Sequence, residues 1–456
     1  MTQLPFRPLS PSPSPSSSGP LVPFGRPMRH AHFSFSPSYT PLNHGSYGTY
    51  PVSVRGAHAA LQSEAEAAPD RFIVLEWSSR LRESRAAAAG LLNCKSVDDV
   101  VFVPNATVGI DTVLKNIVWE KGDVVLVYEV VYNAVRQGLA WLEEMFGVRV
   151  EVVKLGVPLP DDEVVGKVVG AARRVNANEN ERVRLAIVDT IVSMPGFRIP
   201  FERLVPALQA EGALVLVDGA HGIGHIPIDL EALDPDFFVT NMHKWLFVPR
   251  GAAAMYIPKR NQGMIRTTLP TSARYRRPGK DGVGFVELFD FTATLDMTNF
   301  LTVNAALAFR TQICGGEAAI QEYCFSVARR AGEVAAAIFE TEVMDSPGSR
   351  MRECNFANVR LPLTISSSSA NQNEDGKGKG EWQNGVIPAE HADRVGLWFK
   401  ATGVRESGCY FQTCAYGGAF WWRLSGMIYV DVEDFRKGAE ILKGLCERAG
   451  KGEYLA

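Results

Sequence analysis

An alternation of short apolar runs with helix-length segments predicts an α/β protein, with a large domain on a mostly parallel sheet and a smaller α+β domain towards the C-terminal end. Two further observations support this. The runs are too apolar for strands exposed on one face and read as strands buried on both, the condition of parallel sheets. At 456 residues and 46% hydrophobic composition, the chain is about three times an ordinary ~150-residue domain and can bury one large core beside a smaller one.

Residues 1–29 are expected to be a disordered leader, because proline and serine alternate from Pro8 to Pro20 and leave nothing to pack. Order is expected from about Phe33. Between Met1 and Ser63 there is no Asp or Glu but there are four arginines, Arg7, Arg26, Arg29 and Arg55. Such starts also occur in organellar targeting peptides, although the proline density opposes the amphipathic helix those require. Residues 30–84 form an N-terminal segment expected at the site entrance and against the small domain. From Val54 to Leu92 the Ala, Glu, Leu and Arg content predicts two helices parted at Ala68-Pro69-Asp70.

The large domain is expected over 85–304. Its strand candidates are Val101–Val103, Val124–Val127, Leu185–Val188, Leu214–Val217, Phe237–Val239 and Ala252–Ile257, with helices over Asn105–Val118, Asn133–Met145 and Phe201–Glu211. The close spacing of the Phe237 and Ala252 runs leaves no room for a crossover helix, so an antiparallel pair or a sheet edge is expected there. The small domain, 305–456, should hold a helix to about Glu340, a strand over Phe420–Val430 and a helix over Asp434–Ala449. Residues 365–384, with four consecutive serines and a Gly/Lys-rich run, read as a flexible insertion that tolerates trimming.

Bulk charge and composition exclude several functions. With 47 basic and 50 acidic residues the net charge is -3, which gives no support for nucleic-acid binding. No apolar run is long enough to span a membrane. Seven scattered cysteines without CxxC spacing argue against a disulfide framework or a zinc site, and no metal is expected; a reducing, cytoplasmic setting fits.

Ligands of open α/β sheets gather beyond the carboxyl ends of strands, and several polar residues fall there. Asn105-Ala106-Thr107 opens a helix, either as a cap or as a phosphate cradle. Asp189 and Asp218 each end a strand run, where a carboxylate can cap a helix or pair with a cofactor ring nitrogen. His243-Lys244-Trp245 follows the Phe237 run. A lysine there can merely snorkel, but an amine, a carboxylate and a phosphate cradle together are what pyridoxal 5'-phosphate requires. The glycine-rich His221–Gly224 segment lacks the spacing of a nucleotide loop.

With Asn43-His-Gly-Ser-Tyr-Gly48, Asn105-Ala-Thr107, Asp189 with Ser193-Met-Pro-Gly196, Asp218-Gly-Ala-His221 and His243-Lys244-Trp245 with Pro249-Arg-Gly251 in this order, the chain resembles the class V aminotransferase superfamily. Within it, it is similar to the cysteine desulfhydrase and isopenicillin-epimerase-like branch and to the fungal ergothioneine-pathway C–S lyases acting on hercynylcysteine sulfoxide. The resemblance implies fold type I and pyridoxal phosphate as cofactor. It implies that Lys244 carries the cofactor and then moves the Cα proton, that Asp218 faces the pyridine nitrogen, and that Ala106, Thr107 and His243 hold the phosphate. Tyr132 would lie over the ring and can act as an acid, and His221 would meet the 3'-oxygen or serve only the core. Arg423 would grip a substrate carboxylate, with Asn43 and His44 at the substrate or the entrance. Thr294 would reach a neighbouring subunit's phosphate, implying a homodimer with a shared site, although Thr292-Ala-Thr-Leu-Asp296 departs from the family's usual Gly-Thr-Arg-Asp. The activity implied is β-elimination from an amino-acid sulfoxide, with a cysteine desulfhydrase, an epimerase and a non-catalytic scaffold as alternatives.

Overall fold

The computed structural model describes residues 19–277, 283–366 and 385–456. Before the main sheet come helices α1 (Arg26–His32), α2 (Val52–Ala67) and α3 (Trp77–Leu91), the last entered through a turn of π-helix at Arg71–Glu76. Order therefore starts before the expected Phe33, which corrects the reading of residues 19–29 as part of a disordered leader. The reason is long-range. Arg29 forks onto Asp434 at 3.0 and 3.2 Å, Met28 is fully buried, and the Gly25 amide donates to the Ile428 carbonyl at 2.7 Å. Residues 1–18, the rest of the leader, lie outside the described residues, as does 367–384 of the expected insertion.

The main sheet has seven strands, β1 (Val100–Val103), β2 (Asp123–Tyr128), β3 (Arg149–Val153), β4 (Arg182–Asp189), β5 (Leu214–Asp218), β6 (Phe237–Asn241) and β7 (Ala253–Tyr256). Their order is β1-β7-β6-β5-β4-β2-β3. All neighbours are parallel except β7, which runs antiparallel to both β6 and β1. The tight Phe237–Ala252 spacing has the expected result. The helices α4 (Ala106–Asn116), α5 (Asn133–Phe146), α6 (Asp161–Asn176), α7 (Phe201–Ala210) and the single turn α8 (Met242–Trp245) lie between the strands. Sequence reading missed β3, whose alternating Arg149-Val-Glu-Val-Val153 is an edge pattern with only Val153 buried, and α6.

Two apolar clusters sandwich the sheet, because alternate strand residues point to opposite faces. Phe102, Leu126 and Val217 belong to one, and Val101, Val125 and Leu216 to the other. Each fully buried side chain of this size contributes roughly 1.5–3 kcal/mol, so the strands are fixed by their apolar content rather than by turns.

The C-terminal half adds α9 (Glu317–Phe339) and a four-stranded sheet of β8 (Phe356–Ser366), β9 (Val386–Pro388), β10 (Thr413–Tyr416) and β11 (Ala419–Ser425), in the order β9-β8-β11-β10. Helices α10 (Ala392–Ser407) and α11 (Val432–Gly450) complete it; α11 starts with a capping box between Asp431 and Asp434. The strand expected over Phe420–Val430 ends at Ser425, where Gly426 turns the chain towards α11. A Cβ there would lie 2.5 Å from the Cys324 carbonyl oxygen. Among the described residues no helix is long and apolar enough to cross a membrane, and no group of three or more metal-ligating side chains occurs.

Candidate active site

The carboxyl ends of β4, β5 and β6 bring together most of the residues singled out by the sequence. Asp189 and Asp218 end adjacent parallel strands in direct register, and each is only 3% exposed. Asp218 Oδ1 accepts the Ala220 amide at 2.9 Å, and Asp189 Oδ2 accepts the Tyr128 hydroxyl at 2.6 Å. Among the described residues the other oxygen of each carboxyl accepts from no neighbouring side chain. Burial raises the pKa of both, and the Asp218 charge adds to the rise at Asp189.

Lys244 sits in the single turn after β6. Burial brings its pKa down to about 8 against the opposing pull of Asp218. Its Nζ is 3.1 Å from His221 Nε2, while His221 Nδ1 lies 3.0 Å from the Trp245 indole nitrogen. An indole N–H can only donate, so Nδ1 accepts and the neutral ring carries its proton on Nε2. Lys244 then accepts from His221, which favours the free amine in the same direction as burial. His221 itself is held neutral, its pKa well below the usual value through burial.

Arg423, on β11, is 1% exposed. Its Nη1 donates to the Ser193 carbonyl at 2.7 Å, its Nη2 to Asn43 Oδ1 and Ser46 Oγ at 3.0 Å each, and its plane covers Phe356 at 4.4 Å. Nε has no partner, and no carboxylate lies within ion-pair distance among the described residues. A buried guanidinium without a counter-charge is unfavourable, and burial lowers its pKa to about 10. Such a group is poised for an anionic ligand. Gly196 is required beside it, since a Cβ there would sit 2.5 Å from Arg423 Cδ.

Other expectations change in detail. Asn43 touches Arg423, but His44 uses both ring nitrogens internally, one on Tyr429 Oη at 2.6 Å and one on the Lys244 carbonyl. It therefore braces the lysine turn instead of facing substrate. The Ala106 amide, expected at a phosphate, donates to Asn241 Oδ1 at 2.9 Å, and Asn105 Oδ1 caps the Val108 amide at 3.0 Å. Thr107 remains exposed at this helix start. His243 donates from Nδ1 to the Ala252 carbonyl at 2.9 Å, and burial lowers its pKa to about 4; a phosphate dianion at Nε2 would restore the proton. Tyr132, at the start of α5, is 48% exposed. Thr294 is exposed and lines a separate cavity of about 400 Å³ with Gln62, Phe72 and Trp77.

Sequence reading missed Tyr128, Asn241 and Arg310. The first two end apolar strand runs, the position that flagged the aspartates, and the same rule applied to every run would have found them. Arg310 is fully buried, donates to the Trp245 and Gly224 carbonyls at 2.8 and 2.9 Å, and pairs with Glu317 at 2.5 Å. No local pattern marks it.

The residues fit pyridoxal phosphate by their chemistry: a buried amine favoured in its neutral form, a carboxyl with a spare oxygen one strand away, and a helix start with an open threonine. Residues 73–360 match the family model described as aminotransferase class-V. The chain is 37% identical over 447 residues to an L-cysteine desulfhydrase-like protein, lolT1, of Epichloe uncinata, covering 93% of this chain and 96% of the relative. It is 29% identical to the hercynylcysteine sulfoxide lyase of Schizosaccharomyces pombe, with 93% and 98% covered. Among solved structures, the cystine C–S lyase C-DES in complex with cysteine persulfide matches with a TM-score of 0.67 at 19% identity, over 89% of this chain and 97% of that one.

Proposed function

Because the chain belongs to the class V aminotransferase family of pyridoxal phosphate enzymes, we propose that it is a carbon–sulfur lyase eliminating the sulfur substituent of a cysteine sulfoxide conjugate, with hercynylcysteine sulfoxide as the substrate. The observation that carries the amino-acid part of this reading is Arg423, a buried guanidinium lacking a carboxylate. The hercynylcysteine sulfoxide lyase along 93% of the chain supports the substrate.

Bound pyridoxal phosphate supplies an electron-withdrawing ring that makes loss of the Cα proton possible. The protein's groups do the rest. Asp218 holds a negative charge where the ring nitrogen must keep its proton. Lys244 removes the Cα proton as a free amine, and Arg423 holds the substrate carboxylate so that the Cα–H bond meets Nζ. The Cβ–S bond breaks with its electrons on sulfur, and Tyr132 donates a proton to the departing group, which leaves as a sulfenic acid. The three-carbon remainder takes up water and yields pyruvate and ammonia.

A cysteine desulfhydrase uses the same residues and is the second reading, favoured by the desulfhydrase-like relatives. A thiol-relay desulfurase fits less well: Cys354 and Cys414, the thiols near Arg423, are pushed up by burial to about 11 and about 12 and remain un-ionised at neutral pH. The homodimer with Thr294 at a partner's site and a cytoplasmic location belong to the same proposal. Pyruvate release by the purified holoenzyme from hercynylcysteine sulfoxide, an S-alkylcysteine sulfoxide and cysteine tests it. Turnover of cysteine alone would refute the substrate, and full turnover by Lys244→Ala would refute the mechanism.

A further inference from the structure

The mechanism uses Asp218 and leaves Asp189 without a task. Yet Asp189 stands beside Asp218 in register on the neighbouring strand, equally buried, at the same end of the sheet. Two carboxylates placed side by side out of water cannot both be ionised at neutral pH, so one of them holds a proton. The surroundings decide which.

Asp218 accepts a backbone amide and lies closer to the influence of Lys244, both of which favour its ionised form. Asp189 accepts the Tyr128 hydroxyl on Oδ2, and that hydroxyl in turn accepts the Asp189 backbone amide at 2.6 Å. Tyr128 thereby fixes the carboxyl's rotation and leaves Oδ1 as the atom able to carry hydrogen. The titratable and charged groups facing the pair are Tyr128 from β2, Asp218 from β5 and Lys244 from the turn after β6. Tyr128 is held protonated by burial. Lys244 is the one cation among these groups, and it acts more strongly with Asp218 than with Asp189.

We propose that Asp189 works as a neutral carboxylic acid beside an ionised Asp218, presenting Oδ1–H as a hydrogen-bond donor into the cofactor site. The donor would meet an anionic oxygen on the bound ring or on its adduct with substrate. The inference rests on the cofactor lying at these strand ends and is independent of the sulfur substrate.

A neutral acid and a primary amide present similar donors, whereas an amide cannot replace a carboxylate charge. In the holoenzyme, Asp189→Ala should lower kcat/KM by about a hundredfold and Asp189→Asn should recover at least about a tenth of the wild-type value. Asp218→Asn should show no such rescue over Asp218→Ala. Infrared difference spectra of wild-type holoenzyme should contain the carbonyl stretch of a protonated carboxylic acid that is absent from Asp189→Asn. Wild-type spectra without that band, or an Asp189→Asn variant as impaired as Asp189→Ala, would overturn the assignment. Failure on hercynylcysteine sulfoxide with turnover of another cysteine derivative would refute only the substrate, since these comparisons can be made with whichever derivative reacts.

Discussion

The Lys244 amine accepts a hydrogen bond from His221 across 3.1 Å because the Trp245 indole N–H occupies the other ring nitrogen of the imidazole. The three residues form a relay whose direction follows from a single fact, that an indole nitrogen can only donate. A buried lysine in the turn after an apolar strand is thereby favoured as the neutral amine.

The pH dependence of cofactor loading follows from this. The lysine reacts as the free amine, so the attachment rate of pyridoxal phosphate to the cofactor-free protein should rise with pH and level off above about 8. His221→Ala removes the donor and admits water to the ammonium, and both effects move the midpoint upward. Stopped-flow visible absorbance over a pH series checks it.

Arg423→Lys retains the charge but loses the planar fork that engages Ser193, Asn43 and Ser46. KM for amino-acid substrates should rise by about a hundredfold, on the order of 3 kcal/mol, while the visible spectrum of the bound cofactor is kept. Steady-state kinetics alongside the absorbance spectrum separate the two.

His44 links pH to stability. In the unfolded chain its ring protonates below about 6.5, whereas in the folded protein burial keeps it neutral down to about 3. Its contribution is therefore present above the unfolded pKa and declines as pH falls towards the folded one. The stability difference between wild type and His44→Gln should shrink by about 2 kcal/mol between pH 7 and pH 5. Urea unfolding of both proteins at the two pH values measures this.

Arg310→Met would leave the buried carbonyls of Trp245 and Gly224 without donors while Glu317 can turn to water. We expect a loss of about 3–5 kcal/mol, and a lower cofactor affinity because the Lys244 turn loosens. Thermal unfolding with and without pyridoxal phosphate tests both, and an unchanged affinity would confine Arg310 to stability.

The strands of the main sheet and the residues at their carboxyl ends were legible because each is encoded locally. Leu214–Val217 is apolar enough to be buried on both faces, and Asp218 follows it directly. The edge strand β3 was not legible, since half exposure gave it no such run. His44, Tyr128 and Arg310 were opaque in their roles for a different reason. Their partners lie 200, 61 and 65 residues away, and no periodicity records a contact at that separation.

By itself, then, the amino-acid order determined which segments become strands, that the sheet is mostly parallel, and which polar residues follow the strand runs, Asp189, Asp218 and Lys244 among them. These follow from hydrophobic period, run length and the residue types that follow each run. Only the tertiary structure decided the protonation-relevant relationships: Asp189 in register with Asp218, Trp245 orienting His221 towards Lys244, and Arg423 buried without a counter-ion. Charge states depend on distance and on exclusion of water, and both arise when segments far apart in sequence close around one site.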